Sequence, residues 1–139
     1  MRSMISKLAH IHPNATLGKD IIIDPFAVIE DEVFIGDGTH VMAHALILKK
    51  VTIANSGNIF PGAVLGAIPQ DLKFDGEETS VEIGDHTTIR ECVTVNRGTK
   101  DKWKTVVGNN CLLMAYSHIA HDCCLGDNVV IANSVQLAA

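Results

Sequence analysis

An aliphatic residue returns at every sixth position of this chain from Ile5 onward. The run is Ile5, Ile11, Leu17, Ile23, Ile29, Ile35, Val41, Ile47, Ile53, Ile59 and Leu65, then Asp71 and Glu77. It resumes with Ile83, Ile89 and Val95, breaks at Asp101, and continues through Val107, Leu113, Ile119, Leu125, Ile131 and Leu137. Twenty of these twenty-three positions are Ile, Leu or Val, and the three exceptions fall in two places. Those two places mark insertions. The residue four places after each aliphatic is small or β-branched, as at Ala27, Ala45, Ala63, Thr87, Val93 and Ser117. Two inward positions per six residues, one large and one small, fit a short strand followed by a bend. A helix would repeat its apolar positions at about 3.6 residues.

A second period sits on the first. The pairs Leu17-Gly18, Ile35-Gly36, Ile83-Gly84, Val107-Gly108 and Leu125-Gly126 all fall on the same member of each group of three hexads. Three hexads therefore make one coil of 18 residues, and the glycines mark one recurring corner, where the chain bends or needs positive φ. The expected fold is all-β: a triangular parallel β-helix, its coils stacked about 4.8 Å apart, each burying the backbone of the next. Residues 1–139 suffice for a single domain of this kind, with inserted loops near 66–82 and 96–106. The composition agrees, being 47% hydrophobic but only 4% aromatic. The interior should be narrow and filled by Ile, Val, Leu and Ala.

The net charge of −5 argues against a nucleic-acid binder. No run of 18 apolar residues is present, so no membrane span is expected. The opening MRSMISKLAHIHP lacks an apolar signal core, which points to the cytoplasm. Cys92, Cys111, Cys123 and Cys124 form neither a CxxC pair nor a zinc-type spacing and are expected to be reduced.

Counting hexads puts Ile11, Ile29, Ile47, Leu65, Val95, Ile119 and Leu137 on one side of the prism. Both insertions leave from that side, on consecutive coils. The next coil carries His121, which the count stacks over Arg97 and under Ala139. The stretch Leu113–Asp127 is thus the candidate reacting centre. His121 should point outward, with His118 at the adjoining corner. A neutral imidazole can take a proton from a hydroxyl, and Asp122 can support the imidazolium. A plain surface histidine is the competing reading.

In the first insertion Asp71 and Lys73 alternate with Gln70 and Leu72, so an extended loop would face both the same way. Asp71 could accept from a sugar hydroxyl and Lys73 could hold a phosphate. The bland alternative is a solvated polar loop. The second insertion sets Arg97, Lys100, Lys102 and Lys104 against Asp101, a local +3 that suits an acidic partner or a phosphate, or is ordinary surface charge. Trp103 has no place in a narrow core and is expected on this loop or between subunits. His118 and His121, with His86 a coil and a side away, make a poor zinc set, so no metal is expected. No Ser-His-Asp arrangement or phosphate-cradling glycine loop is present.

The segments IPQDLKFDGEET, VEIGDHTTIRECVTVNRGT, TVVGNNCLLMAYSHIAHDCCLGD and VVIANSVQLA closely resemble the UDP-N-acetylglucosamine O-acyltransferases, the first enzymes of lipid A synthesis in Gram-negative bacteria. The resemblance runs along the whole chain. The QDLK loop separates it from the related N-acyltransferases, which share the repeat and a similar His motif. It implies a homotrimer of left-handed β-helices, a handedness that rests on the resemblance because crossovers are ordinarily right-handed. It also implies transfer of a 3-hydroxyacyl chain from acyl carrier protein to the 3-hydroxyl of UDP-N-acetylglucosamine. His121 then matches the catalytic base and Asp122 its support. Asp71 and Lys73 match residues holding the sugar nucleotide, with Gln70 and His118 beside them. Direct attack on the thioester needs no cofactor, the carrier-protein thioester being a substrate.

The chain departs from the family in length. Members run to about twice its size, with more coils and a helical C-terminal region, which is absent here. They carry a glycine at the Ala139 position, followed by a histidine, and later residues for uridine, diphosphate and acyl chain. The expectation is a truncated or naturally short relative with little transfer activity alone. The alternative is a β-helical binding or structural module that keeps the fold and trimer without turnover.

Overall fold

The computed structural model describes residues 2–139. Among them the regular structure is entirely strand, in pieces of two to four residues. Every pairing is parallel, and the strands sort by threes into three sheets. The first sheet runs from Met4–Ile5 to Val130–Ile131, the second from His10–Ile11 to Gln136–Leu137, and the third from Thr16–Leu17 to Cys124–Leu125. In the second sheet Ile11, Ile29, Ile47, Leu65, Val95, Ile119 and Leu137 stand in one register row, the row obtained by counting hexads.

The aliphatics point in. Ile29, Ile47, Ile53, Ile59, Leu65, Ile89, Leu113 and Ile119 are fully buried, and the small positions Ala27, Ala45, Ala63, Thr87 and Val93 fill the space between them. Each such large aliphatic contributes about 1.5–3 kcal/mol on burial. No aromatic residue joins the buried core; Phe26, Phe34, Trp103 and Tyr116 lie outside it, exposed.

Of the two reasons offered for the corner glycines, positive φ does not apply. Gly18, Gly36, Gly84 and Gly108 do not have positive φ. They are glycines because the next coil lies against them. A Cβ on Gly36 would fall 2.6 Å from the Ala54 carbonyl carbon, and one on Gly108 would fall 2.4 Å from the Gly126 oxygen. The residue after each carries a ladder of side chains. Asp37 Oδ1 accepts from Lys19 N–H at 2.8 Å, Asn55 Oδ1 from Asp37 N–H at 2.8 Å, and Asp85 Oδ1 from Asn55 N–H at 2.8 Å. Asn109 and Asp127 continue it to Asp85 and Asn109. Positive φ appears instead three residues after most of the aliphatics, at residues as varied as Phe26, His44, Lys50, Cys92, Tyr116 and Asp122.

The first insertion lies between Val64–Ala67 and Ser80–Ile83, the second between Thr94–Asn96 and Lys104–Val107. Both leave the second sheet and re-enter at the third. A β-bulge precedes the first: the register slips between Leu65 and Ala67, so that Ala67 pairs with Asn96. Gly66 makes this possible, with φ of 93° and Val51 Cγ2 only 2.5 Å from where a Cβ would stand. The loops are tied down by Lys50 Nζ to Glu78 at 3.0 Å, by Lys100 N–H to Glu77 at 3.2 Å, and by Arg97 over the Phe74 ring at 5.2 Å. Among the described residues no helix is long and apolar enough to cross a membrane.

Candidate active site

His121 follows the strand His118–Ile119 and sits in the turn between the second and third sheets, beside both insertions. Its side chain is 18% exposed. Asp122, next in sequence, occupies the positive-φ position of that corner, with φ of 64°, and is buried. The same backbone conformation recurs at most corners, so here it belongs to the scaffold.

The second insertion folds over Asp122 and supplies its partners. Thr99 N–H donates to Oδ1 at 2.9 Å and Lys102 N–H to the same oxygen at 3.2 Å. Thr99 Oγ1 donates to Oδ2 at 2.5 Å. Asp122 N–H in turn donates to Thr105 Oγ1 at 2.9 Å. Burial works to raise the carboxyl pKa, but the hydrogen bonds from the Thr99 hydroxyl, His121 and the two N–H groups outweigh it and hold the pKa below the ordinary carboxylate value. Asp122 is therefore an acceptor only. His121 Nδ1 lies 2.8 Å from Oδ2, so Nδ1 must carry the proton. That leaves the lone pair on Nε2, the nitrogen that faces away. Its nearest carboxylate is Asp71, whose Oδ2 is 3.9 Å off.

Two clefts meet at His121. One, of about 480 Å³, is lined by the uncharged polar residues Gln70, Thr94, Asn96, Tyr116, His118 and Gln136, and otherwise by Leu137 and alanines. The other, of about 560 Å³, is lined by charge: Asp71, Lys73, Glu77, Lys100, Asp101 and Asp122. His121 contributes to both walls.

The residues singled out in the sequence converge here, with differences in detail. Asp71 and Lys73 do line one cleft, but not from an extended loop. Asp71 Oδ1 accepts from Lys73 N–H at 3.0 Å and its carbonyl from Phe74 N–H at 3.0 Å, which curls the segment into a turn. Gln70 faces the other cleft. His118 is on the strand rather than at a corner, aligned with Thr94, whose Oγ1 lies 2.7 Å from its Nδ1. Burial lowers the His118 pKa, against the Thr94 interaction, and nearby His121 lowers it further. The basic loop is partly spent internally, Lys104 pairing with Glu82 at 3.3 Å and Arg97 stacking on Phe74. Trp103 lies on that loop, exposed. Among the described residues no group of three or more His, Cys, Asp or Glu is arranged to hold a metal. Three residues of the site escaped the sequence reading: Thr99, Thr105 and Asn96. A threonine 23 positions from its partner carries no signal beyond its place in the RGT segment.

A family model described as bacterial transferase hexapeptide (six repeats) matches residues 104–139. An acyl-[acyl-carrier-protein]–UDP-N-acetylglucosamine O-acyltransferase of Thermodesulfovibrio yellowstonii is 44% identical over 136 residues, covering 96% of this chain and 52% of the relative. One from Sinorhizobium fredii is 42% identical, covering 97% and 53%. Among solved structures, the UDP-N-acetylglucosamine acyltransferase of Bacteroides fragilis superposes with a TM-score of 0.96 at 54% identity, over 97% of this chain and 53% of that one. A perosamine N-acetyltransferase of Caulobacter crescentus, 17% identical with a TM-score of 0.76, shares the fold alone. The chain thus spans about half the length of the curated relatives it matches. Over nearly all of its own length it is a left-handed parallel β-helix of hexapeptide repeats, related in sequence and fold to the UDP-N-acetylglucosamine O-acyltransferases.

Proposed function

We propose that this chain carries the acyl-transfer centre of an O-acyltransferase that moves a 3-hydroxyacyl group from acyl carrier protein to the 3-hydroxyl of UDP-N-acetylglucosamine, the first step of lipid A synthesis. The observation that carries the proposal is that His121 lines both clefts, with its Nδ1 held by the buried Asp122 and Nε2 left free of that bond. A two-substrate reaction needs such a meeting point. Nε2 removes the hydroxyl proton as the oxygen attacks the thioester carbonyl. The tetrahedral intermediate collapses, the C–S bond breaks, and the imidazolium returns the proton to the departing thiolate. Asp122 stabilises the imidazolium between the two steps. The step uses no covalent enzyme intermediate, metal or resident cofactor.

Asp71 and Lys73 serve the sugar nucleotide in this reading. The carboxylate 3.9 Å from Nε2 is placed to accept from a sugar hydroxyl, and Lys73 in the charged cleft to meet a phosphate. Gln70 and His118 line the uncharged cleft beside them. The reading also includes a homotrimeric working unit and a place in the cytoplasm, both as the family resemblance implies.

The test is transfer of a labelled 3-hydroxyacyl group from its carrier protein to UDP-N-acetylglucosamine, by this chain extended with the C-terminal half of a relative. His121→Ala should lose at least about 100-fold in turnover, the scale of a general base. Near-normal turnover in that variant would remove the base. Binding of the nucleotide sugar without transfer by the extended chain would favour the binding-module reading.

A further inference from the structure

Asn96 stands out on stability grounds. It is 3% exposed, and its Nδ2 is buried with no hydrogen-bond partner. Four buried side-chain atoms among the described residues lack a partner, belonging to Asp31, Thr79, Asn96 and Arg97. Of these residues, Asn96 alone lines a cleft at His121. A buried amide left unpaired destabilises the fold that holds it. A hydrocarbon of similar size would suit the empty protein better.

The local structure sets this residue in the cleft wall. Asn96 ends the strand Thr94–Asn96, opposite the Gly66–Ala67 bulge. One residue past the Val95–Ile119 pair, the next coil offers Ala120, a methyl that leaves the cleft open beside the carboxamide. Ala120 is also the neighbour of His121 in the chain. The amide therefore lies in the uncharged wall, one coil from the proposed base. Its two donors and one acceptor suit an uncharged group with both functions.

We propose that Asn96 is a specificity-determining residue that hydrogen-bonds the acetamido group of the acceptor sugar. The proposal rests on the acyl-transfer reading above and extends it. In an N-acetylhexosamine the acetamido group sits on the carbon next to the 3-hydroxyl. With that hydroxyl at His121 Nε2, the acetamido group reaches the wall beside it. The diphosphate suits the other cleft, where Lys73 and Lys100 lie. The uncharged cleft, bordered by the Gln70, Asn96 and Gln136 amides, matches the one uncharged amide of the sugar.

The experiment measures the Kd of UDP-N-acetylglucosamine and of UDP-glucose by calorimetry, on the wild-type chain, Asn96→Ala and Asn96→Leu, with Tm recorded for each. UDP-N-acetylglucosamine should bind about 10-fold more weakly to both variants, the factor expected for one hydrogen bond in a desolvated site. UDP-glucose should change less than about threefold. Asn96→Leu should melt at or above the wild-type temperature, by up to about 3 °C, because the unpaired amide is gone. A structural asparagine would give the opposite result, a fall in Tm in both variants with sugar discrimination intact, and that would overturn the proposal. Equal weakening of both sugars, or unchanged binding of UDP-N-acetylglucosamine, would overturn it alone. A wild-type chain that binds neither sugar would overturn the acyl-transfer reading with it.

Discussion

At the scale of single residues, the proposed base depends on a threonine of the second insertion. Thr99 gives Asp122 both its hydroxyl and its N–H, and Asp122 fixes the tautomer of His121. Thr99→Val keeps the shape and the N–H but removes the shortest of these bonds. Turnover should fall about 10-fold with KM for the sugar little changed, and the acidic limb of the pH–rate profile should move. A change in KM alone would count against a positioning role. The same network predicts acid sensitivity. The Asp122 pKa is lowered in the fold, so its contribution is present above the unfolded value of about 3.9 and lost as pH falls through the folded value. The Tm gap between wild type and Asp122→Asn should be widest at pH 7 and shrink below about pH 4. His118 is also held below its ordinary value, so its neutral form contributes above about pH 6.5 and the contribution fades as pH falls through the folded pKa. His118→Gln should flatten the first part of the acid decline in Tm. His121, Asp122, Asp71 and Lys73 were legible because their motifs and spacing put them on one edge. Thr99 and Asn96 were not, because a hydrogen bond across 23 residues and a burial set beside a bulge leave no periodic mark.

At the scale of elements, the hexads gave strand positions and register but left open why the corners are glycines. A period shows where a residue recurs, not whether backbone angle or a neighbouring coil demands it. Gly36→Ala tests the difference. Its Cβ would meet Ala54 backbone atoms at 2.6–2.7 Å, so the two coils must part, at a cost of about 3 kcal/mol. Gly38→Ala meets nothing closer than Ser56 Oγ at 3.4 Å and pays only for its φ of 71°, roughly 1 kcal/mol. Denaturant midpoints of the two variants check the order; equal midpoints would count against the close approach of the coils as the reason for Gly36. The corner residues with positive φ were invisible in sequence, since Phe, Lys, Cys and Asp all occupy them. The stacked coils impose that conformation whatever the side chain.

At the scale of the molecule, single chains leave large apolar groups in water. Leu72, at the tip of the first loop, is fully exposed, and Ile68 and Tyr116 are each 64% exposed. Apolar exposure of this size suits association with further copies. Sedimentation equilibrium at micromolar concentration should give the mass of three chains, and a stable monomer would contradict the trimer. The molecule also separates two kinds of sequence change. Along the corner ladder, bonded partners lie 18 residues apart in the plain coils, 30 apart across the first loop and 24 across the second. The entropy of closing such spans grows only with the logarithm of their length, so the longest is disfavoured by roughly 0.5 kcal/mol relative to the shortest. Lineages can therefore lengthen, shorten or exchange the two loops that wall the clefts with little loss of stability. Substrate range can evolve at this edge while the aliphatic ladder stays as it is.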